Sequence, residues 1–169
     1  ERNLSKNLTL REAQKKGGTS QVIKPNEILF ASTGVIGEKF PIQQIKNSTP
    51  QLVEKLRDKQ NKFVWFKAAS SIMTTDTRPK LAFEECRIWN KDIRLSAIAK
   101  GSGMISPNMA TMLAFVFTDA DIPSIFLKSL LKRAMSNTFN AITVDSDTST
   151  NDMVAIFSSN KVKTGKIYN

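Results

Sequence analysis

The stretch KLAFEECRIWNKDIRLSAIAKGSGMISPNMATMLAFVF, Lys80 to Phe117, decides the fold. Lys80 to Trp89 and Ile93 to Ala99 read as paired strands around Asn90-Lys91-Asp92, a turn-forming triplet. The hairpin feeds straight into AKGSGMISPNMATML, Ala99 to Leu113, where Gly101, Gly103 and Pro107 allow a backbone bend before Thr111, which sits behind the small residue Ala110. MLAFVF, Met112 to Phe117, is the apolar run of a buried strand.

Upstream, EILFASTG (Glu27 to Gly34) is an apolar run stopped by glycine and predicts a buried strand entering a turn. Pro41 to Leu56 carries apolar residues at helical spacing interrupted at Ser48-Thr49-Pro50, which predicts two short helices, the second with proline in its first turn. A helix is expected from about Asn61 to Met73, with Phe63, Phe66, Ala69 and Ser70 near one face. In residues 1–20, Leu8, Leu10 and Ala13 suit a short helix ended by Gly17-Gly18.

Downstream, TDADIPS opens a helix over Ser124 to Met135, with Leu127, Leu130, Leu131 and Ala134 at the spacing of one buried face. Ala141 to Val144 reads as a short strand and Asn151 to Ser158 as a helix. Hairpins mixed with grouped helices point to the α+β class rather than a regular alternation of strand and helix.

Composition bounds the chemistry. The 169 residues suit one ordinary domain, and they include one cysteine, Cys86, and no histidine. A Ser-His-Asp triad, a Cys-His pair, a histidine zinc motif and an intrachain disulfide are therefore excluded for this stretch. No apolar run approaches the ~18 to 20 residues of a membrane span, and the first residues lack the apolar core of a signal peptide, so a soluble, cytoplasmic protein is expected. The net charge of +10 is scattered among acids, with 19 basic against 10 acidic residues up to Lys100. Without an aromatic-interleaved basic stripe, it predicts neither nucleic acid nor membrane as partner.

With histidine gone, a threonine can still act as nucleophile when it begins a chain, because its own α-amine serves as base. That amine has a pKa of ~7.7 to 8.0, so a useful fraction is unprotonated near neutrality. Thr111 would gain it only by cutting the Ala110–Thr111 bond, through attack of its own Oγ on the Ala110 carbonyl and hydrolysis of the resulting ester. By spacing alone, a threonine that opens an apolar strand is usually a β-former and nothing more.

Five motifs in order narrow this: ASTGVIG (Ala31 to Gly37), IMTTDTRPK (Ile72 to Lys80), AKGSGMISPNMATML, FTDA (Phe117 to Ala120) and FNAITVDSDTSTND (Phe139 to Asp152). Together they closely resemble the ornithine acetyltransferase family, the bifunctional glutamate N-acetyltransferases of arginine biosynthesis. The resemblance implies part of a four-layer αββα sandwich, and a chain that is a single incomplete catalytic domain over 1–169, self-cleaved between Ala110 and Thr111. It further implies Thr111 as nucleophile, Thr33 and Gly34 as the oxyanion-hole pair, and Thr74 and Lys100 as substrate contacts. The substrates implied are N2-acetylornithine and L-glutamate, with no metal or organic cofactor; use of acetyl-CoA as a second acetyl donor is left open. The complete enzyme is expected to be a heterotetramer of two α and two β chains, cytoplasmic or in an organellar matrix, and the 169 residues alone to be inactive.

An N-terminal-nucleophile aminopeptidase or amidase of related fold is the neighbouring alternative, and a basic non-catalytic binding module the more distant one. VDSDTSTND, Val144 to Asp152, mimics the start of a calcium loop, but Thr150 and Ile156 stand where glycine and a bidentate glutamate are needed. Ser146 and Met153 depart from the family pattern, which has glycine and threonine there. The segment is read as structural, its Asp and Thr side chains satisfying backbone groups near the site.

Overall fold

The computed structural model describes residues 25–34, 37–55, 61–103, 112–145 and 152–165. They belong to two units, 1–60 and 61–169. The helix expected within residues 1–20 lies outside the described residues.

In the first unit a short 3-10 turn, Pro25–Glu27, precedes an irregular stretch and then helix α1, Ile42–Lys55. The strand expected over Glu27 to Gly34 does not form, and Leu29 and Phe30 stay 73% and 42% exposed. An apolar run becomes a strand only where a neighbouring edge takes up its N–H and C=O groups, and among the described residues none pairs with it. The two helices expected around Pro50 are one. Thr49 does not cap a new start; its hydroxyl donates to the Ile45 carbonyl at 2.8 Å, so the helix runs on with Pro50 inside it.

The second unit opens with α2, Lys62–Ser71, where the expected helix lies. Asn61 caps it: its side-chain oxygen accepts from the Phe63 and Val64 N–H groups at 2.9 and 3.0 Å. The buried face differs from the expected one. Ala69 is fully buried with Trp65 and Ala68 half-buried, whereas Phe63 and Phe66 remain 62% and 46% exposed. Trp65 is the ring that finds partners, meeting Phe83 and Phe117 edge-on at 6.2 and 5.2 Å between centroids.

Strands β1 (Lys80–Ile88) and β2 (Lys91–Lys100) form the expected antiparallel hairpin, with Ile88 opposite Lys91. The turn is not the expected Asn90-Lys91-Asp92 but the two residues Trp89 and Asn90, both at positive φ (47° and 60°), as the twist of a tight hairpin demands, and Lys91 and Asp92 already belong to β2. β3, Leu113–Ala120, lies antiparallel to β2 and extends three residues beyond the expected end at Phe117. Helix α3, Ser124–Met135, occupies the expected range, but its buried stripe is narrow: Leu127 is buried and Leu131 half-buried, while Leu130 and Ala134 face solvent.

Two expectations fail after α3. Ala141 to Val144 is not a strand; a 3-10 turn, Phe139–Ala141, leads into irregular chain. The helix expected over 151 to 158 is instead strand β4, Met153–Val162, parallel to β3. Short apolar runs fit either periodicity, and the acidic and hydroxyl residues before MVAIF resemble a helix cap. Pairing with β3 decides the matter, and Asp152 spends its side chain on Met112, the residue before β3, rather than on a cap.

The sheet order is β1-β2-β3-β4, with the last pair parallel and the others antiparallel, which fits the α+β class. One row crosses it through Phe83, Ser96, Phe117 and Phe157, and the rings of Phe117 and Phe157 stack at 5.3 Å. On the opposite face Ile93, Ala114 and Ala120 are buried.

Candidate active site

The register brings the ends of all four strands together. Lys80 of β1 is opposite Ala99, Lys100 of β2 is opposite Leu113, and Leu113 of β3 is beside Met153 of β4. Alternation along β2 puts Lys100 on the face of Ser96 and Ile98, the face that carries Trp65 and α2. The turn after α2 therefore arrives beside Lys100.

Lys100 is 2% exposed. A buried ammonium needs polar company, and one of its partners is the Thr74 hydroxyl, 3.4 Å from Nζ. The two expected substrate contacts are thus neighbours, although 26 residues separate them in the chain.

Asp76 holds this pair in place. Its side chain is fully buried; one oxygen accepts the Gly101 N–H at 2.8 Å and the Lys80 ammonium, and the other accepts the Thr74 N–H at 3.4 Å. One carboxylate so ties the TTDT turn to the residue after Lys100. Burial alone would push the carboxyl up, but the bonds from Lys80, Gly101 and Thr74 and the Lys80 charge outweigh it and hold Asp76 below the ordinary aspartate value. Gly101 has φ 138°, a conformation that favours glycine and that turns its N–H to the carboxylate. Beside it the Ser102 hydroxyl donates to Thr75 Oγ1 at 2.9 Å.

The acidic motif reaches the same end of the sheet. Asp145 lies close to Gly103, where an added Cβ would be 3.5 Å from its Oδ2. Asp152 accepts the Met112 N–H at 2.6 Å through Oδ1. Burial pushes its carboxyl above the ordinary value, and the Met112 bond offsets this only in part. The segment does satisfy a backbone group, as its sequence suggests.

Ala110 and Thr111 lie outside the described residues; Met112, the next residue, is described. Thr33 and Gly34 belong to the first unit, in the irregular stretch before α1, Thr33 half-buried and Gly34 exposed. Sequence reasoning missed Asp76 and Asp152 as individual residues. TTDT and STND do contain them, but only the contacts to Gly101 and Met112 single them out. Among the described residues no group of three acidic, cysteine or histidine side chains could hold a metal ion, and no helix is long and apolar enough to cross a membrane.

Comparison with known proteins places these features in context. The model of the ArgJ family matches residues 7–169. The chain is 49% identical over 141 residues to the arginine biosynthesis bifunctional protein ArgJ of Bartonella quintana (strain Toulouse), a match covering 83% of this chain and 33% of that protein. It is 50% identical over 139 residues to the protein of the same name from Chlorobaculum tepidum, covering 82% and 33%. For that of Rhizobium meliloti the identity is 46% over 150 residues, covering 89% and 34%. The chain spans about a third of the length of these curated relatives.

Proposed function

The chain belongs to the ArgJ family, and from that premise we propose that it is part of an acetyltransferase that moves acetyl from N2-acetylornithine to L-glutamate. The observation that carries this reading is the buried Lys100 beside Thr74, braced by Asp76, at the sheet end from which the chain runs on to Ala110 and Thr111. A buried cation next to a hydroxyl suits the carboxylate of an amino-acid substrate.

The complete protein first cuts itself. Thr111 Oγ attacks the Ala110 carbonyl, the acyl group moves from nitrogen to oxygen, and water hydrolyses the ester, freeing the Ala110 carboxylate and the Thr111 α-amine. In the first half-reaction the amine takes the hydroxyl proton as Oγ attacks the acetyl carbonyl, then gives it to the departing ornithine amine. In the second half-reaction the glutamate amine attacks acetyl-Thr111, and Oγ regains a proton. Splitting one transfer into two is the benefit of the covalent intermediate. Thr33 and Gly34 would donate hydrogen bonds to the oxyanion in both halves, each donor contributing about 3 to 4 kcal/mol to lowering the barrier.

The scheme calls on no metal or organic cofactor, and acetyl-CoA is a candidate second donor. Its setting in our reading is a four-layer αββα sandwich assembled as two α and two β chains in the cytoplasm. Intact mass spectrometry of the complete protein tests the first step: cleavage at Ala110–Thr111 is expected, and Thr111→Ala abolishes both cleavage and transfer. An aminopeptidase or amidase would instead hydrolyse the acyl-enzyme at a rate indifferent to added glutamate.

A further inference from the structure

We propose that Asp76 is the positioning residue of the Lys100–Thr74 pair, and that Lys80, by compensating its charge, keeps that carboxylate from repelling the α-carboxylate carried by both amino-acid substrates. The inference rests on the reading of Lys100 and Thr74 as substrate contacts given above.

The two contacts come from separate elements. Thr74 lies in the exposed turn after α2, and Lys100 is the buried last residue of β2. Asp76 ties their backbones: Oδ1 accepts the Gly101 N–H at 2.8 Å, one residue beyond Lys100, and Oδ2 accepts the N–H of Thr74 itself at 3.4 Å. Each arm of the pair is thus fastened to a different oxygen of one carboxylate. Gly101 meets its oxygen at φ 138°, which L side chains rarely adopt, so the tie is built into the chain on both sides. A binding group works only while such supporting bonds hold it, and a shift of about 1 Å can cost 100-fold.

The clasp brings a negative charge to a place meant for an anion. Burial pushes the Asp76 carboxyl up, but the bonds from Lys80, Gly101 and Thr74 and the Lys80 charge outweigh this, so it is ionised at neutral pH. Lys80 answers that charge. Its ammonium donates to Oδ1 from a side chain that is 48% exposed, while the Asp76 side chain is fully buried. A close ion pair presents little net charge to a ligand beside it.

N2-acetylornithine and L-glutamate have side chains of opposite charge and share the α-carboxylate. A site that serves both half-reactions through that shared group loses both substrates together when its geometry loosens.

The test is steady-state kinetics of Asp76→Asn in the complete protein. Asparagine keeps the shape but sets an NH2 donor against one of the two N–H groups. We expect KM for N2-acetylornithine and for L-glutamate to rise together, roughly 5- to 50-fold, with kcat of the folded enzyme within about threefold of wild type. Charge alone would do the reverse, because the variant leaves Lys80 uncompensated near an anionic substrate, so the rise reports the lost clasp. A merely structural role would lower the melting temperature and leave both KM values in place. Unchanged or lowered KM therefore overturns the proposal, as does a rise for one substrate only. In the Lys100→Met background the same substitution should change KM by less than about twofold, and an undiminished effect there also overturns it. Lys80→Met tests the compensation and decides alone if Asp76→Asn does not fold: both KM values should rise about 3- to 10-fold, and wild-type values overturn the proposal. The reading beneath fails separately, since Lys100→Met with unchanged KM would remove Lys100 from the substrate site whatever Asp76→Asn does.

Discussion

Asp76 accepts the Gly101 N–H at 2.8 Å across 25 residues of sequence, and with it the turn after α2 is fastened to the end of β2. The same carboxylate takes the Thr74 N–H and the Lys80 ammonium, so Thr74 and Lys100 meet because Asp76 lies between their backbones. This gives Asp76→Asn a defined phenotype. At neutral pH the variant of the complete protein is expected to lose about 1 to 3 kcal/mol, the cost of weakening buried, charge-assisted bonds. The carboxyl is held below its unfolded value near 3.9, so its contribution is full above that pH and is lost as pH falls through the folded value. Urea unfolding at several pH values should show the gap between wild type and variant closing in acid.

Lys100→Met separates binding from stability. Replacing the buried ammonium with an apolar chain of similar length removes its desolvation cost but leaves its buried partners unmatched, so urea unfolding of the variant is read beside the kinetics. Binding is expected to weaken, with KM for N2-acetylornithine rising at least about tenfold, or 1.4 kcal/mol. Combined with Thr74→Val in a double-mutant cycle, it should show coupling of about 0.5 to 3 kcal/mol, as neighbouring residues do. Additive kinetic effects would mean that the 3.4 Å approach of Nζ to the Thr74 hydroxyl carries no energy.

Trp89 sits at φ 47° in the hairpin turn with its ring 73% exposed. Left-handed backbone costs a bulky L-residue about 1 to 2 kcal/mol, whereas asparagine adopts it readily. Trp89→Asn should therefore stabilise the complete protein by up to about 1 kcal/mol, read as a raised denaturant midpoint with an unchanged slope.

Ala69 has no exposed surface where α2 meets β1 and β2. Ala69→Leu inserts three heavy atoms into that contact and is expected to destabilise by about 1 to 3 kcal/mol. Phe63→Leu, on the exposed side of the same helix, should stay within about 0.5 kcal/mol. Equal losses at the two sites would contradict the face assigned to α2.

Local chemistry made part of the fold legible. Helix α2 starts beside Asn61, a hairpin follows from Lys80 although its turn falls at Trp89-Asn90 rather than at Asn90-Lys91-Asp92, and Leu127 lies on the buried side of α3, each governed by residues a few positions apart. Errors came where a distant partner decides. Glu27 to Gly34 has the apolar run of a strand, yet no described edge pairs with it; Met153 to Ser158 carries a run that could coil, yet lies along β3 as β4.

The candidate site divides the same way. The absence of histidine, the Ala110-Thr111 step and the ordered motifs are properties of the sequence, and the proposal of Thr111 as nucleophile rests on them. That Lys100 meets Thr74, that Asp76 joins their backbones and that Asp152 grips Met112 were decided only by the tertiary structure. The physical reason is that a side chain's charge and shape are local, whereas the partner that satisfies a buried charge is chosen by strand register, which brings residues 25 to 40 apart to one end of one sheet.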